Sequence, residues 1–258
     1  MYEELYAPLP DAKRYLERLG MDAPDITPEG LSELIVAHHD SVPFENYAVC
    51  EEKKIPSLGI SDLFDKIVTR RRGGYCFELN ALFCSLLRSL GFDARPLLCR
   101  ILRADRAHPA PLHRATAVYF GDDRCFADVG FGGPMPEGAV PFDGSKQTAR
   151  GLTFRIVPAD GRSLDLLRLE DGVWTPSVRF SQDPVDEVDF IPANYFCSSS
   201  PDSGFVIHRM ANICRPDGFA RIADDVFTLR TAEGDETRRI SSSEEERSLL
   251  KEYFGIVL

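Results

Sequence analysis

The chain has 258 residues, 43% apolar and 28% charged, a globular composition that excludes fibrous and disordered classes. Thirty Lys and Arg against 41 Asp and Glu give a net charge of −11, so neither nucleic acid nor an anionic membrane is an expected general partner. An anionic cofactor would need a local basic or amide-rich pocket. The length fits one large domain or two to three lobes, at roughly 100–200 residues per domain.

No apolar run approaches the ~18–20 residues of a membrane span, and the start MYEELYAPLPDAKRYLERLG lacks the basic and apolar regions of a secretory signal. From there Asp11 caps a helix to about Leu19, stopped by Gly20. Thr27-Pro28 opens a second helix through Leu31, Leu34 and Ile35, ended by Val42-Pro43. Ser61 opens a short third helix through Leu63, Phe64 and Ile67. The strongest pattern, Cys76 to Leu90, is apolar nearly all round and predicts a central buried helix, terminated by Gly91.

Strands follow near 94–103, 115–120 and 124–129, broken by His108-Pro109-Ala110-Pro111 and the Gly121-Asp122-Asp123 turn. More are expected at 152–157, 164–170, 205–210, 219–222, 226–231 and 237–240. The stretch 132–145 reads as a loop, and 181–204 as a polar crossing between lobes. Trp174 is assigned to packing. A last helix runs from Ser243 to Tyr253 behind a serine cap and three glutamates. Helical lobe, β lobe, then a smaller mixed lobe give an α+β fold, divided as 1–91, 92–193 and 194–258.

Seven cysteines are scattered without a CxxC pair, which predicts free thiols in a reducing cytoplasm and no disulfide framework or zinc finger. One differs from the rest. In RRRGGYCFEL, residues 70–79, a basic glycine loop delivers Cys76 to the first turn of the long helix. There, unpaired N–H groups and the helix dipole favour thiolate. Cys50, Cys84, Cys99, Cys125, Cys197 and Cys214 lack such surroundings and read as packing.

A nucleophilic thiolate needs a base, and the base an orienting carboxylate. His113 starts one strand and Asp128 ends the next, so an antiparallel pair would bring them together. His108 reads as exposed. His38-His39 lack a third metal ligand and read as solvated or capping, and His208 as a strand residue in packing; no metal is expected.

The segments RGGYCFELN (72–80), His113, ADVGFGG (127–133), HHDSVPFENYAV (38–49), NYFCSSSPDSGF (194–205) and YFGIVL (253–258) together resemble the arylamine N-acetyltransferase family. The resemblance implies a cysteine-proteinase-like fold: an N-terminal helical bundle, a central β-barrel and a C-terminal α/β lid. It implies ping-pong transfer of acetyl from acetyl-CoA to arylamine or hydrazine nitrogen, in a monomer or weak homo-oligomer of xenobiotic metabolism. Cys76 would be the nucleophile, His113 the base and Asp128 the orienting carboxylate. Phe44 and Phe131 would wall the acceptor, and Gly130, Gly132, Gly133 and Ser203 would lie on the coenzyme A side. Arg72 and Asn80 match structural positions near the site. Pro109-Ala110-Pro111 stands where some relatives carry a glycine near CoA, and the Arg70-Arg71-Arg72 run either attracts CoA phosphates or is solvated or paired with carboxylates. An amide synthase or other acyl-thioester transferase on the same scaffold is the alternative, followed by a thiol hydrolase and an inert binding protein.

Overall fold

A computed structural model describes residues 2–103, 105 and 107–258. Helices α1 (Ala12–Leu19) and α2 (Pro28–Ser41) start where their caps predict: Asp11 accepts from the Arg14 N–H and Thr27 from the Gly30 N–H. After β1 (Phe44–Glu45) and the short α3 (Tyr47–Cys50), α4 (Ile60–Phe64) runs into a π-helical turn over Asp65–Thr69. The central helix α5 (Cys76–Ser89) carries eleven buried residues.

The β region follows as β2 (Asp93–Ile101), β3 (His113–Phe120), β4 (Asp123–Ala127), β5 (Val140–Pro141), β6 (Gln147–Ala149), β7 (Leu152–Pro158), β8 (Ser163–Glu170) and β9 (Val173–Ser181). They form one antiparallel eight-stranded sheet in the order β5-β4-β3-β2-β9-β8-β7-β6. The strand β5 also lies against β7, so the sheet curls nearly shut into a barrel. Its interior is filled by Leu97, Phe126, Phe154, Leu166, Val178 and Phe180.

Helices α6 (Phe190–Ser199) and α7 (Gly204–Ile207) lead to β10 (Met210–Arg215), β11 (Gly218–Ala223), β12 (Val226–Thr231) and β13 (Gly234–Arg239), and the chain closes with α8 (Ser243–Phe254). These last strands form a second antiparallel sheet whose outer partner is β1, in the order β1-β10-β11-β12-β13. The architecture is α+β. All seven cysteines are free thiols. Among the described residues, no helix is long and apolar enough to cross a membrane.

Besides the short β1, α3, β5 and β6, of which β5 lies in the expected loop 132–145, three longer segments differ from expectation. The crossing at 181–204 contains α6, whose Phe190, Ala193 and Cys197 pack into the helical core. That spacing is helical, and Pro192 sits within the first turn, where proline is tolerated. The expected strand at 205–210 instead starts as α7, because Ser203 accepts from the Phe205 N–H and caps a helical turn. Strand β9 was not expected at all. Its Pro176 obscured the pattern; it lies at a register shift opposite Leu166/Leu167, the kind of irregularity that accommodates proline within a sheet.

Candidate active site

Cys76 is the first residue of α5 and only 2% exposed. The loop before it is held by close packing and buried charge. A Cβ on Gly73 would come within 2.0 Å of the Pro43 carbonyl, and one on Gly74 within 2.8 Å of a Glu78 carboxylate oxygen. Arg72 binds Glu45 through Nε at 3.1 Å and Glu52 through a terminal nitrogen at 3.3 Å. Lys66 donates to Glu78 at 2.7 Å, and Glu78 accepts the Tyr75 N–H at 3.2 Å. Arg70 pairs with Asp65 at 2.8 Å. Of the two readings of the arginine run, carboxylate pairing therefore describes Arg70 and Arg72, while Arg71 is exposed.

The N–H groups of Arg114 and Phe77 reach the Cys76 sulfur and stabilise its anion. Burial outweighs them. Desolvation, with Cys197 and Asp128 adding to it, pushes the thiol well above its ordinary value. The helix start favours the thiolate as expected but does not offset burial by itself: in a dry site an anion needs a cation beside it.

That cation has a seat. His113 opens β3, and Asp128 follows the last residue of β4; the strands pair through Thr116↔Ala127 and close over Gly121, at φ +67°, and Asp122. The turn brings both side chains into the buried interior, with His113 Nε2 2.5 Å from Asp128 Oδ2. Asp128 Oδ1 accepts from Asn80 Nδ2 at 2.9 Å and from the Gly130 N–H at 2.8 Å. Burial alone would raise this carboxyl, but the His113 charge and these hydrogen bonds hold it below the usual carboxylate range. Because Nε2 is taken by Asp128, Nδ1 is the ring nitrogen left for another partner.

Asn80 lies one turn after Cys76 on α5 and binds the site together. Besides Asp128, its amide donates to the Arg114 carbonyl at 2.6 Å, and its oxygen accepts the Val129 N–H at 3.0 Å. Asn80→Ala removes a hydrogen-bond partner from each of these three buried groups, at about 1–3 kcal/mol for a group left unpaired, although Asp128 keeps the Gly130 N–H and His113. The expected result is a urea midpoint lowered by at least roughly 2 kcal/mol equivalent, at unchanged slope, together with lower activity.

The segment after Asp128 packs tightly against the nucleophile. A Cβ on Gly130 would lie 2.8 Å from the Cys76 Cα, and one on Gly132, at φ +74°, 2.6 Å from the Phe44 ring. Gly133 faces the Phe131 ring. Phe131 meets His113 edge to face at 5.7 Å between centroids, and Phe44 lies 6.2 Å from Phe205. Phe44, Phe131, Gly132 and Gly133 line one small cleft with His39, Met135, Asn212 and Cys214. Ser203 is apart from this group: its buried hydroxyl donates to the Cys197 carbonyl at 2.6 Å.

The remaining histidines correct two expectations. His38, read as solvated or capping, is fully buried, bonded to the Tyr15 hydroxyl at 3.0 Å and edge-on to Phe83. His39, read the same way, bonds the Asp128 carbonyl oxygen through Nε2 at 3.1 Å and Glu137 through Nδ1 at 3.2 Å. Their place in the second helix gave no sign of this, because the partners lie far along the chain. His208 caps α7 and pairs with Asp224 at 2.9 Å, half exposed and outside any strand. His108 is exposed as expected. Trp174 is half-buried, with Arg155 over its ring at 4.2 Å.

Comparison with known proteins places these residues in context. A family model described as N-acetyltransferase matches residues 27–258. The arylamine N-acetyltransferase of Mycolicibacterium smegmatis is 31% identical over 257 residues, covering 96% of this chain and 92% of that protein. The arylamine N-acetyltransferase / N-hydroxyarylamine O-acetyltransferase of Salmonella typhimurium is 31% identical over 240 residues, covering 89% of this chain and 83% of that protein. The structure of Mycobacterium marinum arylamine N-acetyltransferase in complex with CoA is similar at a TM-score of 0.87 and 30% identity, covering 95% of this chain and 93% of that one.

Proposed function

The chain belongs to the arylamine N-acetyltransferase family and is an acetyltransferase enzyme, and from that premise we propose that it moves acetyl from acetyl-CoA to arylamine or hydrazine nitrogen through an acetyl-cysteine. Cys76 is the nucleophile, His113 the base and Asp128 the carboxylate that orients it. The observation that carries the reading is the 2.5 Å contact between His113 Nε2 and Asp128 Oδ2, within the buried site that also holds Cys76.

In the first half-reaction the Cys76 proton passes to His113 Nδ1 as the sulfur attacks the thioester carbonyl. The resulting imidazolium is steadied by Asp128, which removes the cost of a lone anion in this dry site. Collapse of the tetrahedral intermediate expels the CoA sulfur, which takes the proton from His113, and leaves acetyl on Cys76. In the second half the amine nitrogen attacks that acetyl group and gives its proton to His113. The amide then departs as the Cys76 sulfur recovers the proton. General base assistance of this kind is worth about 10²–10⁴-fold.

Phe44 and Phe131 are proposed as the walls that hold a flat acceptor ring, and edge-on contacts suit such a ring. Gly130, Gly132 and Gly133 are proposed to form the CoA side, leaving room where a side chain would collide. Ser203 would act there through the turn it caps. The same proposal takes the fold as cysteine-proteinase-like: residues 1–91 carry the nucleophile, 92–193 the base and acid, and 194–258 form an α/β lid. A monomer or weak homo-oligomer in the reducing cytoplasm suits its free thiols.

The deciding experiment follows one acetyl group. Incubation with acetyl-CoA alone should add one acetyl mass to intact protein, mapped to the peptide holding Cys76. Adding an aniline or hydrazine should then discharge it and speed CoA release. An acetyl adduct that neither amine discharges would favour an amide synthase or other acyl-thioester transferase. No adduct at all would remove the covalent mechanism. An N-hydroxyarylamine belongs in the same panel, since the Salmonella relative is also named for O-acetylation.

A further inference from the structure

Next to the triad, three side chains from distant parts of the chain converge without a part in the reaction above. They are His39 on α2, Glu137 in the loop before β5, and Cys214 on β10. One ligand atom from each lies within 4.8 Å of the others, and His39 Nδ1 is 3.2 Å from a Glu137 carboxylate oxygen. His39 Nε2 lies 3.1 Å from the Asp128 carbonyl oxygen. A carbonyl only accepts, so Nε2 carries a proton, and Nδ1 is the ring nitrogen turned to Glu137. An imidazole nitrogen, a carboxylate and a thiol thus face one another.

We propose that His39 Nδ1, a Glu137 carboxylate oxygen and Cys214 Sγ form an inhibitory site for a zinc-like divalent cation. A mixed nitrogen, oxygen and sulfur set suits zinc. Bonds of about 2.0–2.3 Å put tetrahedral neighbours roughly 3.3–3.8 Å apart, so the cluster needs to close by only about 1 Å. A metal-bound histidine commonly donates its other N–H to a backbone carbonyl, and Asp128 supplies one here. Binding releases the Cys214 proton to solvent as its sulfur bonds the metal. His39 and Cys214 both line the cleft walled by Phe44 and Phe131, so an entry path exists. Arg150, 3.8 Å from Glu137 but held by Asp40 at 2.6 and 2.7 Å, opposes the ion and limits its affinity. The ion does not enter the acetyl transfer; it narrows the cleft and pulls on the backbone that carries Asp128.

Cadmium reports the site directly, because a cadmium–thiolate bond absorbs in the ultraviolet. Titrating the full chain with Cd²⁺ should give one equivalent of this band, displaced by Zn²⁺. The band should survive Cys76→Ser, vanish in Cys214→Ser and weaken at least roughly tenfold in His39→Gln. Zn²⁺ should slow acetyl transfer by the wild type, while the rates of Cys214→Ser and Cys214→Ala, each measured against its own metal-free rate, should not respond to the ion. A band that disappears with Cys76→Ser and persists in Cys214→Ser would assign the metal to the nucleophile and overturn the proposal. So would inhibition by Zn²⁺ that the Cys214 variants share.

Discussion

Cys76→Ser is expected to lower acetyl transfer by a factor on the order of 10⁴ or more, with no acetyl adduct on the intact protein. The fold should be unharmed. A hydroxyl is smaller than a thiol and still accepts the Arg114 and Phe77 N–H groups that reach this position. The chemistry fails because the same burial that opposes a thiolate opposes an alkoxide from a far less acidic start. A melting temperature within a few degrees of wild type, beside abolished turnover, is the signature. Near-normal turnover in this variant would end the covalent mechanism.

Asp128→Asn is expected to cost about 10²–10⁴-fold in kcat, because no orientation of the amide satisfies its neighbours. With its NH₂ toward His113, Nε2 must become the acceptor and Nδ1 carries the proton, the wrong state for a base facing Cys76. With its NH₂ turned away, it meets the Asn80 amide and the Gly130 N–H, both donors. A wild-type rate would remove Asp128 from the triad. The charge also has a signature in stability. Asp128 titrates lower folded than unfolded, so its anion contributes stability above the ordinary carboxylate range and loses it as pH falls through the folded value. The wild-type urea midpoint should therefore fall on acidification by more than that of Asp128→Asn.

Much of this was legible in the chain. The caps Asp11, Thr27 and Ser242 and the stop at Gly20 carry their own local chemistry, so α1, α2 and α8 lie where expected. The apolar run behind Gly73-Gly74 located α5, and the two-residue turn between β3 and β4 carried His113 and Asp128 to one place. What escaped depends on distant partners. Strand β9 carries a bulge beside Pro176, and α6 hides its apolar stripe among polar residues. His39 and Cys214 gain meaning only when α2, the loop at Glu137 and β10 meet.

The two residues of β1 have a reach out of proportion to their length. Phe44 and Glu45 pair with Asn212 and Ala211 of the C-terminal sheet on one side, and on the other the Glu45 N–H donates to the Gly74 carbonyl at 2.8 Å. Glu45 also clasps Arg72. A splint thus runs from the last third of the polypeptide to the turn that presents the sulfur. Trimming that third would not merely uncover the cleft; it would take away the strand that braces β1, and β1 in turn braces the backbone two residues ahead of the nucleophile. The last sheet is thereby joined to the reactive centre through two residues of backbone.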